Sequence, residues 1–379
     1  MDARNRRIAE ALRSIGADWA VLTSPASVSY ATGHDEPAGA GRSPFSGGPA
    51  VAIVAADGRA VLVAADADLD PGAVRAECTH EYPAFALPPG GPGVDGLYLA
   101  AASAALGEAG VAGAVALEPA TCPDGVRRLL GGLGVTAVDA TAALREARAV
   151  KTADEIDRLR ACAGLTAVGQ RAAREAAAPG MTELELFAEV RRALDGAAGA
   201  PVALSADLLS GVARTAAVMG GPEARRLEEG DPVICDLVPG LAGYWGDSCL
   251  SWTLGPASAD YARMYAVARQ ALDHAARTLR PGITAGAFAE GVLAVIEAAG
   301  LSDPIHVGHG IGVTNFEHPR LVPGAPEELR PGMVLMVEPG AYDDRAGGVR
   351  LEWMFLVTPD GNEVLSPYDV PWEVSSGRS

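Results

Sequence analysis

The stretch VICDLV, residues 233–238, is an apolar run with one carboxylate, Asp236, at its centre. Its length and apolar content read as a buried strand. A lone ionised carboxylate in such a strand costs several kcal/mol unless it is protonated, paired or bound to a metal. The anomaly recurs three times. YWGDSCLSW, residues 244–252, carries Asp247; VLMVEPG, residues 334–340, carries Glu338; VRLEWMFLV, residues 349–357, carries Glu352. Arg350, two residues before Glu352 and on the same strand face, is the nearby cation, and one guanidinium cannot neutralise four acids. A shared metal site explains all four at once.

Spacing supports this. Asp236 and Asp247 lie eleven residues apart across a turn holding Pro239 and Gly240, so adjacent antiparallel strands can bring both side chains to one spot. Glu338 and Glu352 can do the same across EPGAYDDRAGG, residues 338–348. A nitrogen ligand is supplied by GHGIGVTNFEHP, residues 308–319, where His309 stands among Gly308, Gly310 and Gly312. Those glycines let backbone approach a crowded centre. One imidazole with up to eight carboxylate oxygens is too much for one structural zinc, and suits two divalent ions about 3.5–4 Å apart. Oxygen-rich ligation favours manganese, iron or cobalt, with zinc a further possibility.

The rest of the chain bounds the answer. Its 379 residues favour two domains, and its 49% apolar content supports a substantial core. Residues 1–150 read as an α/β unit: a helix over 3–15, strands at DWAVLTS, AVAIVAA, RAVLVAA, GAVALEP and GVTAVDA, and a helix at LYLAAASAALGEAG. Residues 151–379 read as α+β, with long helices outside an antiparallel sheet. Thr152 or Asp154 caps one helix, and Thr182 with Glu185 forms a capping box for the next. No repeat of 20–50 residues stands out.

The 48 acidic and 30 basic residues give a net charge of −18, which argues against nucleic acid or an anionic membrane as partner. No apolar run is long enough to span a bilayer, and the N-terminus lacks a signal-peptide core, so the expected location is cytoplasmic. Five scattered cysteines without a CxxC pair exclude a zinc ribbon or disulfide framework.

In this order the residues resemble the pita-bread metallopeptidases: methionine aminopeptidase, aminopeptidase P, prolidase and creatinase. DWAVLTSPASVSYATGH, residues 18–34, resembles the opening of the creatinase/prolidase N-terminal domain, and LREARAVKTADEIDRLRACA, residues 144–163, the junction into the catalytic domain. LEEGDPVICDLVPGLAGYWGDS, GHGIG, LRPGMVLMVEPGAY and GVRLEWMFLVT resemble the catalytic blocks. The resemblance implies a pita-bread catalytic domain behind a creatinase-like N-terminal domain. Its five metal ligands fall on Asp236, Asp247, His309, Glu338 and Glu352, with Asp247 and Glu352 bridging two metals and Glu338 acting on the bridging water. It also implies a homodimer, in which the loop HDEPAGAGRSPFSGG, residues 34–48, reaches the neighbouring site.

The chain departs from that pattern around the substrate. Phe316 stands where the family's GHGIGxxxHExP has histidine, with His318 two residues on. Met219 or Gly220 occupies a second histidine position, Cys249-Leu250 replaces Thr-Arg, and Trp353 replaces an acid. Replacement groups are sought in His306, His318, Arg350 and Tyr244, with Phe316 and Tyr244 as substrate contacts. The expected activity is metal-dependent hydrolysis of an amide or peptide bond in a small molecule or short peptide, close to an Xaa-Pro peptidase. The alternatives are a lyase, a creatinase- or ectoine-hydrolase-like enzyme on the same metals, and a non-catalytic binding protein.

Overall fold

The computed structural model describes residues 2–35, 43, 45–70, 72–85, 87 and 89–371. The chain falls into two units, Met1–Arg148 and Ala149–Ser379. Part of the loop 34–48, residues 36–42 and 44, lies outside the described residues.

The first unit runs α1 (Ala3–Ser14), β1 (Trp19–Leu22), α2 (Pro25–Thr32), β2 (Val51–Ala55), β3 (Ala60–Ala65), β4 (Cys78–Tyr82), α3 (Val94–Ala109), β5 (Ala114–Leu117), α4 (Asp124–Gly132), β6 (Thr136–Asp139) and α5 (Thr141–Ala149). Its six-stranded sheet has the order β4-β3-β2-β1-β5-β6. The β2–β3 hairpin turns at Asp57-Gly58, where Gly58 takes φ 88°. Strands β1, β5 and β6 pair in parallel, joined through helices, so the sheet is mixed, as the alternation of strand and helix predicts. The short helices α2 and α4 were not legible as helices. Ser24 caps the first, with Pro25 in its first turn.

The second unit begins with α6 (Ala153–Ala176) and α7 (Glu183–Ala198). Both start in capping boxes: Thr152 with Glu155, and Thr182 with Glu185. Leu186, Val190 and Leu194 recur every fourth residue of α7 and are fully buried. Each such side chain contributes about 1.5–3 kcal/mol on burial. Next come β7 (Ala203–Ser210), α8 (Val212–Ala216), β8 (Pro232–Leu241), β9 (Tyr244–Trp245) and β10 (Cys249–Thr253). The chain closes with α9 (Ala259–Thr278), α10 (Ala285–Ala298), β11 (Gly308–Gly310), β12 (Glu317–Leu321), β13 (Val334–Val337), β14 (Gly340–Asp343), β15 (Gly347–Arg350), β16 (Trp353–Thr358) and β17 (Gly361–Val364). The sheets are β10-β8-β7, with β9 on β8, then β12-β11-β13-β16-β17, and the hairpin β14-β15. Among the described residues every strand pairing in this unit is antiparallel.

This unit is built twice. Thr182 bridges Arg226 and Thr284 bridges Glu328, each pair displaced from the other by 102 residues. Gly180 N donates to Leu227 O at 2.7 Å, and Gly282 N to Leu329 O at 2.9 Å, at the same displacement. In both halves two helices precede a sheet strand associated with an acid: β8 carries Asp236 within it and β13 runs into Glu338, again 102 residues on. Among the described residues no helix is long and apolar enough to cross a membrane.

Candidate metal centre

Strand register decides where the acids meet. In β8, Asp236 pairs with Cys249 of β10 on one side and Asp207 of β7 on the other. Asp247 lies two residues before Cys249, in the turn entering β10. Gln170 of α6 pins that turn: its amide donates to Cys235 O at 2.9 Å, and to Ser248 O and Oγ at 3.0 Å each. On the second sheet Val337 pairs with Trp353, so Glu338 and Glu352 flank the last rung of the β13–β16 ladder. The residues between them leave as the β14–β15 hairpin. Ser251 Oγ accepts from Arg350 N at 2.9 Å and donates to Arg350 O at 3.0 Å, tying this hairpin to β10. Glu352 N donates to Cys249 O at 3.0 Å, which carries Glu352 across to Asp247.

His309 sits in β11, between β12 and β13 and opposite Met336. Its glycine neighbours serve the strands rather than the acids directly. A Cβ on Gly308 would strike Met336 O, and one on Gly310 would strike His318 O. On Gly312 it would stand 2.6 Å from Glu317 Oε2. That carboxylate pairs with the buried ammonium of Lys151 at 2.7 Å.

The side chains converge. His309 Nε2 lies 3.4 Å from Glu338 Oε1 and 3.6 Å from Asp247 Oδ2. Ligand atoms of Asp247, His309 and Glu352 fall within 4.8 Å of one another, and so do those of His306, His309 and Glu338. His309 is common to both trios. Its Nδ1 is 2.9 Å from Gly310 O, which places the proton on Nδ1 and leaves the Nε2 lone pair for a ligand. Asp236 is held differently: its Oδ2 accepts from Arg350 Nη2 at 2.6 Å. The same Nη2 donates to Asp207 Oδ2 at 3.0 Å, and Nη1 to Val218 O at 3.1 Å.

The electrostatics are those of a cation site. Burial, and then the Asp236 and Glu338 charges, push Asp247 well above the usual carboxylate range. Burial and then Asp247, Glu338 and Asp236 do the same to Glu352. Burial raises Asp236 to about 6 against the opposing charge of Arg350. Glu338 moves the other way: burial lifts it, but the His306 hydrogen bond and the charge of Arg350 outweigh burial and hold it below its ordinary value. Burial lowers His309 below its ordinary value, against the opposing charge of Glu338. Both carboxylate oxygens of Glu352, Asp236 Oδ1 and Asp247 Oδ1 are buried without a hydrogen-bond partner among the described residues. Buried polar atoms are rarely left so, and divalent cations satisfy several carboxylate oxygens together. The donor set therefore fits divalent metal.

The description Metallopeptidase family M24 matches residues 157–359, and the Creatinase/Prolidase N-terminal domain matches residues 4–150. The chain belongs to metallopeptidase family M24. Among its M24 relatives is the probable dipeptidase PepE of Mycobacterium tuberculosis, 36% identical over 237 residues, which cover 62% of each chain. The Xaa-Pro dipeptidase of Pyrococcus furiosus is 29% identical over 225 residues, covering 59% of this chain and 64% of that one. The chain thus spans under two thirds of the length of these curated relatives in the matched region. The solved structure of dipeptidase PepE from Mycobacterium ulcerans superposes with a TM-score of 0.75 at 27% identity, covering 98% of this chain and 96% of that one.

Against this M24 fold the remaining candidates sort clearly. His306 joins the cluster, its Nε2 2.8 Å from Glu338 Oε1. Arg350 is buried within it. Phe316 stacks on His309 with ring centroids 4.1 Å apart. His318 is half-buried on β12 and, among the described residues, makes no hydrogen bond to the acids. Tyr244 is buried, and its hydroxyl donates to Glu155 Oε1 at 3.2 Å, at the cap of α6. Cys249 follows Asp247 but is wholly buried beside Arg350, where burial raises its thiol well above the ordinary range.

Three polar groups at the site escaped the sequence reading. Asp207 lies on β7, a strand whose mixed polarity hid it. Asp303 accepts from Ile305 N at 3.2 Å and Gly340 N at 2.8 Å, so it braces the segments carrying His306 and Glu338; burial raises it to about 7. Arg320, opposite His309 in the β11–β12 register, is exposed and reaches His306 Nδ1. Only the register reveals that contact.

Proposed function

We propose that the protein is a metal-dependent dipeptidase of the M24 type. Asp236, Asp247, His309, Glu338 and Glu352 would hold two divalent ions, manganese foremost, with iron, cobalt or zinc as alternatives. Metal bound there supplies Lewis acidity toward a peptide carbonyl and lowers the pKa of a water molecule. The observation that carries this reading is the set of buried carboxylate oxygens of Asp236, Asp247 and Glu352 that have no hydrogen-bond partner among the described residues.

The chain's own groups then divide the work. Glu338 stays ionised near neutrality and is the proton acceptor. Its partner His306 faces a guanidinium at Nδ1, which can only donate, so His306 Nε2 carries the proton toward Glu338. Proton transfer at Glu338 Oε1 is thereby coupled to His306. Arg350 fixes Asp236 from behind and does not face the solvent side. Arg320 offers an exposed guanidinium beside His306, suited to the free carboxylate of a dipeptide. Names among the relatives, dipeptidase and Xaa-Pro dipeptidase, support the substrate class. We further infer a cytoplasmic homodimer, acting on short peptides and binding neither nucleic acid nor membrane.

The test is hydrolysis of a dipeptide panel, including Xaa-Pro members, by manganese-loaded protein. The reading expects turnover that Glu338→Gln lowers by about 100-fold or more in kcat. No turnover of any dipeptide with either manganese or iron would overturn it.

A further inference from the structure

A large aromatic ring stands in the open at the edge of a buried polar cluster. Phe316 is 54% exposed, yet one face of its ring stacks on the buried imidazole of His309, with centroids 4.1 Å apart and planes 28° apart. It also lies 5.6 Å from the ring of His306. Thr314 Oγ1 donates to Phe316 O at 2.8 Å, which fixes the loop that presents it. The stacking anchors one face and leaves the rest for another apolar group. Met219 is another exposed apolar side chain, 67% exposed. It follows Val218, a β-branched residue held at φ 75°, whose carbonyl is tethered by Arg350 Nη1 at 3.1 Å. Such backbone is strained and persists only where its surroundings hold it.

We propose that Phe316 is the specificity-determining residue of this site, a platform for a bulky apolar side chain on the C-terminal residue of the substrate. This rests on the dipeptidase reading. His306 decides which residue is meant. It touches Arg320 at Nδ1 and packs against Phe316, so a substrate whose carboxylate lies on Arg320 carries its C-terminal side chain to the Phe316 ring. Phe316 offers no hydrogen bond, so it discriminates by apolar contact alone.

The experiment compares kcat/KM for Ala-Phe and Ala-Leu with that for Ala-Gly, using manganese-loaded wild type, Phe316→Ala and Phe316→Trp. Covering the exposed part of the ring corresponds to a preference of about tenfold for the apolar dipeptides in wild type. Phe316→Ala should abolish that ratio through KM, and Phe316→Trp should keep it. A ratio unchanged in Phe316→Ala overturns the proposal, even if overall activity falls. If wild type hydrolyses no dipeptide, the dipeptidase reading fails separately, and the platform is read by calorimetry. Wild type should then bind L-phenylalanine about tenfold more tightly than Phe316→Ala does, and equal affinity, or no binding to either, overturns the platform.

Discussion

Arg350 Nη2 donates to Asp236 Oδ2 at 2.6 Å, so the guanidinium inside the cluster is already committed to one of its acids. It holds Asp207 as well, and lies 4.0 Å from Glu338 through Nε. Asp247 and Glu352 are left without a direct cationic partner among these contacts, an imbalance that a divalent ion would correct.

The first prediction concerns that arginine. Arg350→Met removes the buried partner of Asp236 and leaves an uncompensated charge, which costs about 3–5 kcal/mol. Denaturant unfolding of metal-free protein should show that loss. Added manganese should recover part of it by binding the folded state. Equal stability of variant and wild type in the metal-free state would remove Arg350 from the account.

The pH dependence of the metal-free protein follows from the acids. Asp236 is raised to about 6 in the folded chain, and Asp247 and Glu352 are raised further. A folded state that binds more protons than the unfolded chain loses stability as pH rises. The contribution is complete below about pH 4 and is lost as pH passes through about 6 and above. Glu338 has the opposite sign, because its pKa is lowered, but its contribution disappears only on acidification below the ordinary carboxylate range. Metal-free protein should therefore be more stable at pH 5 than at pH 7.5. Manganese should reverse the order, because ligands bind it deprotonated. Thermal melts at both pH values, with and without manganese, check the reversal; a metal-free protein that gains stability between pH 5 and pH 7.5 would contradict it.

Tyr244 provides the contrasting case. Its hydroxyl donates to Glu155 at the cap of α6. Tyr244→Phe should cost about 0.5–1.5 kcal/mol of stability and leave kcat/KM for dipeptides close to that of wild type. A large loss of kcat/KM at unchanged stability would return Tyr244 to the substrate site.

Much of this was legible because it violates expectation locally. A carboxylate inside VICDLV or VRLEWMFLV is conspicuous in one dimension, and so is a histidine among glycines. The capping boxes at Thr152 and Thr182 are equally local, and the structure has both. What stayed hidden depends on pairing between distant segments. Asp207 meets Asp236 only through the β7–β8 register, and Arg320 meets His306 only across the β11–β12 turn. Tyr244, sought in the sequence as a replacement group and substrate contact, follows the turn between the two aspartates, and its hydroxyl meets the start of α6 only through the fold. The doubled architecture left a faint trace, Pro-Gly-Met-Thr at 179–182 and Pro-Gly-Ile-Thr at 281–284. Its period is far beyond that of short solenoid repeats.

The central claim is that the five ligand candidates bind two divalent ions, and metal content per chain tests it most directly. Wild type and Glu352→Gln, each supplemented with manganese and then freed of loose metal, would be compared by elemental analysis. The account predicts close to two ions per wild-type chain and a clear loss in Glu352→Gln, whose two buried oxygens have no other partner. Wild type that retains no manganese, iron, cobalt or zinc under these conditions would contradict it.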